Sequence, residues 1–456
     1  MPARAPELQA STHIWAGPGA APGVPGAAAA ITASVGSGGT TESRAFVFSV
    51  RRILAQPRTH SGAAVFATNW RWPRAPQPPP RRSSVTLPFP ASSMSISLLA
   101  QFVKQTALDE GFSLCGIAPA APLRELDYFP AWIEAGYHGE MEYLAKTNEA
   151  GELRRAALAN VAPWARSVIV CAANYNSATP YSTECDDPVR GWISRYAFIE
   201  ADYHELLLKR LRRIEARMVE RIVDDGHAAP RTWCYVDTGP VVERVLAQHS
   251  GIGWTGKNAC ILNQQLGSWL FLGVILSSHA LPPDLPAADR CGSCTRCLDA
   301  CPTNAFLGPH KLDATRCISY LTVEQRGAVP EELREKMGRH LFGCDICQDV
   351  CPWNRRAPVS TDPAFIPRTE LVNPSLEWIS GMNMEEFRRI FRGSPVKRAK
   401  LTGLLRNAAI AMGNSGDRKY LNRLRELAHH PDSAVAEHAR WAIAGLEATP
   451  DADATP

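Results

Sequence analysis

Eight of the 13 cysteines lie between residues 291 and 351, and their spacing is the clearest chemical signal in the chain. The first four form the pattern C-x2-C-x2-C-x3-C-P, which begins at Cys291. Bacterial ferredoxins use this spacing to bind one 4Fe-4S cluster with the first three thiolates, whereas the fourth thiolate binds the other cluster of a pair. A second set follows, with Cys317 and then C-x2-C-x3-C-P from Cys344 to Cys351.

The two sets together predict two clusters that exchange one ligand. Cluster 1 is assigned Cys291, Cys294, Cys297 and Cys351, and cluster 2 is assigned Cys301, Cys317, Cys344 and Cys347. Two zinc sites are the alternative, because C-x2-C pairs also bind zinc. Eight ligands with none left over favour the clusters. The other five cysteines are scattered in apolar surroundings and are interpreted as packed core residues: Cys115, Cys171, Cys185, Cys234 and Cys260.

A candidate acid precedes the cysteines. The segment YVDTGP places Asp237 at the end of a strand-like run, just before a helical pattern over residues 241–250. A carboxyl group in such a position can donate a proton if burial raises its pKa. Aspartate is also a common helix N-cap, and these residues alone favour capping.

Two further motifs give weaker signals. Residues 251–258, GIGWTGKN, lack the spacing of a Walker loop and precede a strand, so nucleotide binding is not indicated. Close approach of the backbone to a large cofactor accounts better for these glycines. Asp202 and His204 form a D-x-H pair, the start of a cobalamin-binding motif, but Leu207 stands where that motif has glycine. A polar pair at a helix N-terminus is the preferred interpretation.

The periodicity of apolar residues predicts a mixed α/β arrangement around these motifs. Helical patterns cover residues 98–110, 123–144, 203–223 and 241–250, and strand-like runs cover 167–175 and 232–240. Residues 259–277 are predicted to form a β-hairpin that turns near Gln265 and Gly267. Its apolar run WLFLGVIL is less than half of the roughly 20 residues that a transmembrane helix needs, so it indicates a buried strand.

Composition divides the chain into four parts. Residues 1–93 are rich in Ala, Pro, Gly, Ser and Arg and are predicted to be a disordered extension, with Met94 as an alternative start. An α/β domain over 94–288, a cysteine-rich domain over 289–356 and a helical domain over 357–456 follow. The short helices of the last part indicate a stacked pair of the HEAT type.

The charge distribution restricts where a nucleic acid can bind. Residues 1–93 contain nine Arg and two Glu, so the remainder carries 40 basic and 43 acidic side chains. A nucleic acid must therefore bind a local basic patch. Residues 387–406 contain seven cations and no acid, which predicts phosphate contacts from one helical element; a solvated helix face is the alternative. The cations are Arg388, Arg389, Arg392, Lys397, Arg398, Lys400 and Arg406.

Six segments resemble the epoxyqueuosine reductase family, and the resemblance covers residues 94–446. They are YVDTGPVVERVLAQHSGIGWTGKNACILN, GSWLFLGVIL, CGSCTRCLDACPTNA, RCISYLTVEQRG, GCDICQDVCPWN and SPVKRAKLTGLLRNAAIAMGN. The resemblance implies a cytoplasmic, cobalamin-dependent iron–sulfur enzyme that reduces epoxyqueuosine at the tRNA wobble position to queuosine, the last step of queuosine biosynthesis. It also implies an α+β multidomain fold with a nitroreductase-like α/β cobalamin-binding domain, a two-cluster bacterial ferredoxin-like module and a C-terminal HEAT-like α-helical module.

The same resemblance implies roles for individual residues. Asp237 matches the family's catalytic aspartate, which reverses the preference for helix capping. Cobalamin contacts are expected from Arg155, Asp237, Asn258, Ile261, Leu272, Ser319 and Asp345, and tRNA contacts from Arg326, Lys397, Arg398, Lys400 and Arg406. Residues 196–204 depart from the family pattern by one extra residue and a missing glycine, so the loop geometry near the cofactor does not carry over.

Two other functions would use part of this machinery. A cobalamin-dependent reductive dehalogenase would share the clusters and the corrin, but its twin-Arg export signal is missing and the basic tail would have no purpose. A ferredoxin-like electron carrier would leave Asp237 unexplained. The expected partners are a tRNA bearing epoxyqueuosine and an external electron donor that the sequence does not identify. A monomer without membrane association is expected.

Overall fold

The computed structural model describes residues 96–200 and 202–448. The extension predicted to be disordered, residues 1–93, and the alternative start at Met94 lie outside the described residues. Within the described ranges, no helix combines the length and the apolar composition that spanning a membrane requires.

The described chain contains helices and strands in irregular alternation. The α/β part contains α1 (Ile96–Asp109), β1 (Leu114–Pro119), α2 (Phe129–Glu134), β2 (Ser167–Asn174), β3 (Trp192–Ile193), α3 (Tyr203–Asp224), β4 (Thr232–Tyr235), α4 (Glu243–His249), β5 (Trp254–Thr255), β6 (Ile261–Leu262) and β7 (Leu270–Ser277). The cysteine-rich part contains α5 (Arg296–Asp299), β8 (Phe306–Gly308), β9 (Lys311–Leu312), α6 (Ile318–Val323), α7 (Glu331–Arg334), β10 (His340–Phe342) and α8 (Ile346–Asp349). The tail contains α9 (Leu376–Gly381), α10 (Met384–Ile390), α11 (Lys400–Asn414), α12 (Leu421–Leu427) and α13 (Ser433–Ala448).

An antiparallel sheet with the strand order β1-β2-β7-β4 forms the centre of the α/β part. All eight residues of β2 are buried, which explains why its sequence SVIVCAAN is not an alternation of polar and apolar residues. Successive side chains point to opposite faces of the sheet. Ile169 and Cys171 therefore join one core cluster, whereas Val168 and Val170 join another.

Different helices cover the two faces of this sheet. α3 packs on the face of Ile169 with Leu207, Leu211 and Ile214, which recur at the three- and four-residue spacing of one helix face. The apolar residues of α2 and α4 belong to the cluster on the opposite face. Because both faces are covered, polar chemistry is left to the strand ends and the loops.

Two predictions about local structure are wrong. Residues 123–144 do not form one helix, because α2 covers only 129–134 and Gly136, with φ of +72°, follows its end. Residues 259–277 do not form one hairpin, because β6 pairs with β5 and β7 pairs with β2 and β4. The apolar strand β7 occupies the interior of the sheet, and a local bridge between Asn263 and Gly267 closes the turn before it.

The cysteine-rich part and the tail share a core with the α/β part. β10 pairs in parallel with β3, with His340 opposite Trp192. The core cluster that contains Leu246 of α4 also contains Leu321 of α6 and Ile410 of α11. The predicted tail helices are present as α11, α12 and α13. Gly413 allows α11 to approach α13, because a Cβ there would lie 2.9 Å from that of Ala442.

Arg406 of α11 attaches the tail to the cysteine-rich part. Only 1% of this residue is exposed, and its guanidinium donates to the carbonyl oxygens of Leu321, Gln325 and Gly327. The prediction that Arg406 contacts tRNA is therefore wrong, because its donors are turned inward. The predicted cations also do not share one helical element, since they are spread over α10, a 3-10 turn at Pro395–Ala399 and α11.

We expect Arg406→Leu to lower the free energy of unfolding by about 3 kcal/mol, because it leaves three carbonyl groups without a donor at about 1–3 kcal/mol each. The fall would appear as a lower Tm in thermal melts of the cofactor-loaded protein. Lys400→Leu, which changes an exposed side chain of the same helix, is the matched control and should cost less than about 0.5 kcal/mol. Equal melting of the two variants would contradict a structural role for Arg406.

Candidate active site

Four cysteines from two separated segments line one cavity. Cys291 and Cys294 precede α5, and Cys297 lies within it. Cys351 follows α8. Trp353 and Leu262 contribute apolar walls. The structure thus brings together the four residues that the spacing assigns to cluster 1.

The arrangement of these sulfurs fits a cluster better than a single ion. Across the part of the chain that the structure describes, no three His, Cys, Asp or Glu side chains converge closely enough to hold one metal ion. Tetrahedral zinc has Zn–S distances of about 2.3 Å, so its four sulfurs lie almost in contact. Sulfurs distributed around a cavity suit a larger group. In addition, Trp254 Nε1 lies 3.5 Å from Cys291 Sγ, as a donor to a cluster ligand would.

A second cavity contains cysteines assigned to cluster 2. Cys317, Cys344 and Cys347 line it, and Cys301 is close enough to Cys317 and Cys344 to influence both thiols. Burial is the main cause that raises the pKa of Cys317 to about 12. The thiolate therefore needs positive charge beside it, which bound iron would supply.

The second cavity also brings together five of the seven expected cobalamin contacts. They are Asn258, Ile261, Leu272, Ser319 and Asp345. β6 and β7 supply apolar side chains to the wall, whereas the cluster 2 cysteines occupy another part of it. The orientation of the Asp345 carboxylate is fixed, because it accepts hydrogen bonds from Ser194 Oγ and Arg195 N, each at 2.6 Å. An apolar wall with a few fixed polar groups fits a large organic cofactor placed against cluster 2.

The glycine-rich segment 251–258 packs closely against other residues of the protein. A Cβ at Gly253 would lie 2.3 Å from the carbonyl oxygen of Leu262, so glycine is needed where β5 meets β6. This contact accounts for Gly253 without a cofactor, and approach of the other glycines to a large cofactor stays a prediction. Asn258 nevertheless lines both cavities and donates to the carbonyl oxygen of Cys347 at 3.2 Å. It therefore lies between the two sets of cysteines.

Asp237 occupies a strained loop between β4 and α4. Its φ is +59°, a left-handed conformation that few residues other than glycine adopt and that costs on the order of 1–3 kcal/mol. The capping alternative is wrong, because α4 begins at Glu243 with Val242 as its N-cap and no side-chain cap. Arg155 donates to the carbonyl oxygens of Gly239 and Tyr143 at 2.9 and 2.6 Å. Arg155 and Asp237 are not among the residues that line the second cavity.

Two residues from the start of α3 contact Asp237. Tyr203 Oη donates to Asp237 Oδ2 at 2.8 Å, and His204 Nε2 lies 3.6 Å from the same oxygen. His204 Nδ1 lies 2.6 Å from Asp202 Oδ1. Burial lowers the pKa of His204, but Asp202 and Asp237 together outweigh it and raise the pKa to about 9. The imidazole therefore carries a positive charge at neutral pH.

The sequence interpretation of the D-x-H pair is confirmed in one respect and incomplete in another. Asp202 is the N-cap of α3 and accepts a hydrogen bond from His204 N at 3.1 Å. The interpretation missed the approach of the His204 side chain to Asp237, because 33 residues separate them in the chain. Tyr196 connects this group to the second cavity, since it lines that cavity and its ring lies 6.2 Å from the ring of Tyr203.

Several predicted RNA contacts lie around the same group. Lys397 Nζ is 3.5 Å from Asp202 Oδ2, and the side chain of Lys397 is 58% exposed. Arg398 pairs with buried Glu324 at 2.8 Å, and its backbone carbonyl oxygen accepts a hydrogen bond from Arg326. The exposed residue Lys400 begins α11. Lys397 and Arg398 therefore lie beside the group that contains Asp237.

Two further residues of interest were not found by sequence reasoning. Cys260, interpreted as core, lines the second cavity, and its thiol is within hydrogen-bonding reach of Cys347. Glu243 is half-buried, and desolvation of its carboxyl group followed by the charge of Asp237 raises its pKa to about 8. One carboxyl oxygen of Glu243 has no hydrogen-bond partner among the described residues. No motif marks either residue, and only the fold brings them to the site.

Two cysteine-lined cavities and a strained acid define this chain as an iron–sulfur redox enzyme. A family model described as a 4Fe-4S double cluster binding domain matches residues 290–354, and a model described as epoxyqueuosine reductase QueG, DUF1730, matches residues 155–238. The chain carries a double 4Fe-4S domain.

Similar proteins make the assignment more specific. The epoxyqueuosine reductase of Pseudomonas aeruginosa is 39% identical over 370 residues, which cover 80% of this chain and 98% of that protein. The Escherichia coli K12 enzyme is 38% identical over 354 residues, covering 77% and 90%. The chain belongs to the epoxyqueuosine reductase family. The dehalogenase and electron-carrier alternatives are not favoured.

Solved structures agree with this assignment. An epoxyqueuosine reductase bound to an epoxyqueuosine-modified tRNA-Tyr stem loop has a TM-score of 0.68 and 31% identity, covering 77% of this chain and 91% of that one. The Bacillus subtilis enzyme, with its catalytic aspartate loop swung out of the active site, has a TM-score of 0.68 and 30% identity with the same coverage.

We expect the anaerobically purified protein to contain about eight irons. The assigned ligand pairing then determines whether the iron losses of two cysteine variants add when the variants are combined. Cys294→Ser and Cys351→Ser, alone or combined, should each leave about four irons, because both residues are assigned to cluster 1. Combining Cys294→Ser with Cys301→Ser should remove nearly all iron. Iron analysis and electron paramagnetic resonance measure the outcome.

Cys185→Ser is the matched control for these variants, because Cys185 lines neither cavity and should leave about eight irons. Additive losses from Cys294→Ser and Cys351→Ser would show that the two cysteines bind different clusters, and the assigned pairing would be wrong.

Proposed function

We propose that this chain reduces the epoxide of epoxyqueuosine in tRNA to the alkene of queuosine, and that Asp237 protonates the departing oxygen. One observation carries the proposal. A strained aspartate, contacted by Tyr203 and His204, is connected through the rings of Tyr203 and Tyr196 to a cavity lined by cluster 2 cysteines. Removal of an epoxide oxygen needs electrons and protons at one place, and this arrangement supplies a source of each.

The second cavity is proposed to hold cobalamin. Ile261 and Leu272 would contact the corrin from the apolar wall, whereas Asn258, Ser319 and Asp345 would orient its polar edge. When bound, cobalamin supplies a strongly reducing cobalt, and the clusters supply electrons to it. We propose that Arg155 supports the loop that carries Asp237 instead of lining the cobalamin cavity. Its guanidinium donates hydrogen bonds to the carbonyl oxygens of Gly239 and Tyr143.

The surroundings of Asp237 suit a proton donor. The side chain is 15% exposed, so the substrate oxygen can reach it while most bulk water is excluded. Tyr203 is held in place by stacking on Phe271, with ring centroids 4.1 Å apart. Its hydroxyl therefore fixes the orientation of the carboxyl group, and a positioned acid of this kind contributes about 10²–10⁴-fold to a rate.

The cations beside Asp237 are proposed to position the tRNA. Lys397, Lys400 and Arg326 would contact phosphates, which fixes an RNA on the surface without reading its bases. Arg398 is less available, because it is paired with Glu324 and its side chain is 19% exposed. We assign Arg398 to the edge of the site, where it orients the loop that carries Lys397.

The finer architecture is also a proposal. We infer a nitroreductase-like α/β domain over 94–288, a ferredoxin-like module over 289–356 and a HEAT-like module over 357–456, supported by the sheet, the clustered cysteines and the packing of α11 on α13. A cytoplasmic monomer that receives electrons from an external donor fits a tRNA substrate and reduced thiols.

We expect Asp237→Asn to retain both clusters and to bind cobalamin but to lose epoxyqueuosine reduction by about 100-fold or more, because the amide cannot supply a carboxyl proton. Iron content and cobalamin absorption measure the cofactors, and nucleoside analysis of tRNA measures turnover. Asp289→Asn, which changes an exposed aspartate beside cluster 1, is the control. Full turnover by Asp237→Asn would exclude the proposed role.

We expect Lys400→Glu to weaken tRNA binding and to reduce the slope of log affinity against log salt by about 1, because one phosphate contact is lost. Binding of an anticodon stem loop measured at several salt concentrations tests this. Lys336→Glu changes an exposed lysine of the cysteine-rich part and should leave the slope unchanged. An unchanged slope in Lys400→Glu would support the solvated-face alternative.

A further inference from the structure

The overall reaction needs more protons than one carboxyl group holds. Converting an epoxide to an alkene breaks two carbon–oxygen bonds and releases the oxygen as water. This change consumes two electrons and two protons. Asp237 holds one proton, so after the first transfer it is a carboxylate, and the second proton must come from another group or from bulk water.

His204 is placed to provide that proton. Its Nε2 lies 3.6 Å from Asp237 Oδ2, and closing this gap by about 0.7 Å would bring it to an ordinary hydrogen-bond distance. Its other ring nitrogen is fixed 2.6 Å from Asp202 Oδ1. An imidazole held by a carboxylate on one side keeps its other N–H directed at the acceptor on the opposite side. The chain thus contains a row of Asp202, His204 and Asp237.

We propose that His204 recharges Asp237, so that both protons reach the substrate oxygen through the Asp237 carboxyl group. This inference rests on the proposed function. In the first transfer, the O–H bond of Asp237 breaks and an O–H bond forms at the substrate oxygen. In the second, the Nε2–H bond of His204 breaks and the Asp237 carboxyl is restored, and that proton passes to the oxygen, which leaves as water.

The relay is then reset from solvent. The sequence ends with His204 as a neutral imidazole and Asp237 as a carboxylate, so two protons must return. Because Nε2 of His204 is buried, both protons enter through the Asp237 carboxyl group, whose side chain is 15% exposed. The electrons come from the reduced cofactors of the proposed reaction, so the relay itself moves only protons. No further oxidant or reductant is needed.

The groups around His204 determine when it carries a proton. Asp202 and Asp237 favour the imidazolium, whereas burial disfavours it. Tyr203 stacks on the imidazole with centroids 4.0 Å apart, and its buried phenol keeps its proton because burial raises its pKa. Lys397 pairs with the second oxygen of Asp202 and partly offsets its negative charge. While Asp237 is the carboxylate that the first transfer leaves, the imidazolium persists at neutral pH and is lost as the pH rises through about 9.

One other group competes for this role. Glu243 is half-buried near Asp237, with one carboxyl oxygen fully buried, and its raised pKa, about 8, leaves it mostly protonated at neutral pH. Like His204, it lies close enough to Asp237 for their charges to interact. The test therefore includes Glu243→Gln as a separate arm.

The experiment measures single-turnover reduction of epoxyqueuosine-tRNA by pre-reduced, cofactor-loaded enzyme between pH 6 and pH 10. For the unmodified enzyme, we expect the rate to fall as the pH rises through about 9. His204→Asn should lower the neutral-pH rate by about 100-fold and abolish that fall. Added imidazole should restore part of the rate to His204→Ala. Asp202→Asn, which preserves the helix cap, should move the fall to lower pH.

His249→Asn is the matched control, because His249 also faces a carboxylate, Glu125 at 3.0 Å, and is similarly buried. It should keep the rate and the pH profile. A direct titration of the His204 imidazole by nitrogen-15 NMR in the oxidised holoprotein should show a pKa near 9 that falls in Asp202→Asn. This measurement does not depend on turnover.

Three results would overturn the relay. The first is a His204→Asn variant that keeps the rate and the pH profile of the unmodified enzyme. The second is a Glu243→Gln variant that abolishes the fall in rate at alkaline pH while His204→Asn retains it. The third is a loss of rate in His204→Ala that imidazole does not restore, which would indicate a structural role. In all three cases the proposed function would stand. If the unmodified enzyme converted no epoxyqueuosine, the proposed function itself would be wrong.

Discussion

The active site depends on the contact between the cysteine-rich part and the edge of the sheet. One cavity is lined by the cluster 2 cysteines Cys317, Cys344 and Cys347 and by Ile261 of β6 and Leu272 of β7. An electron donor and the group that it reduces must be close together, so neither part could form this site alone. The pairing of β10 with β3 and the core shared by α4, α6 and α11 hold the two parts in register.

The second constraint is the geometry of the loop after β4. Asp237 adopts a left-handed backbone conformation, which the fold must stabilise from outside the loop. Arg155 does so by binding the Gly239 carbonyl, and Tyr203 does so by donating to the carboxylate. Both contacts come from distant parts of the chain. The strain and its compensation together place one acid between the cavity and the cationic surface.

The sequence predicted the chemistry better than the placement of the residues. Cysteine spacing predicts ligands, because a cluster needs donors at short, fixed separations, and the four thiols of cluster 1 line one cavity. The burial of β2 and β7 could also be predicted from the sequence, because a strand that is covered on both faces is apolar along its whole length. By contrast, the pairing partner of β7 depends on contacts far away in the chain, so the predicted hairpin was wrong.

Charge patterns gave the least reliable predictions. Arg406 and Lys400 share a helix and a positive charge, yet Arg406 is buried under three carbonyl acceptors, whereas Lys400 is exposed. Composition cannot distinguish a structural arginine from a surface one. In the same way, Asp202 was recognised as a helix cap, but the approach of His204 to Asp237 depends on how β4 and α3 pack.

The position of Cys351 beside the first cysteine set has a consequence for how the enzyme is made. Cys351 contributes to the cavity of the first cysteine set, so insertion of that cluster ties together two ends of a segment of about 60 residues, much as a disulfide closes a loop. Iron supply therefore contributes to maturation of the fold as well as to redox capacity. A chain synthesised under iron starvation, or stripped of iron by oxygen, loses this cross-link between its two cysteine segments.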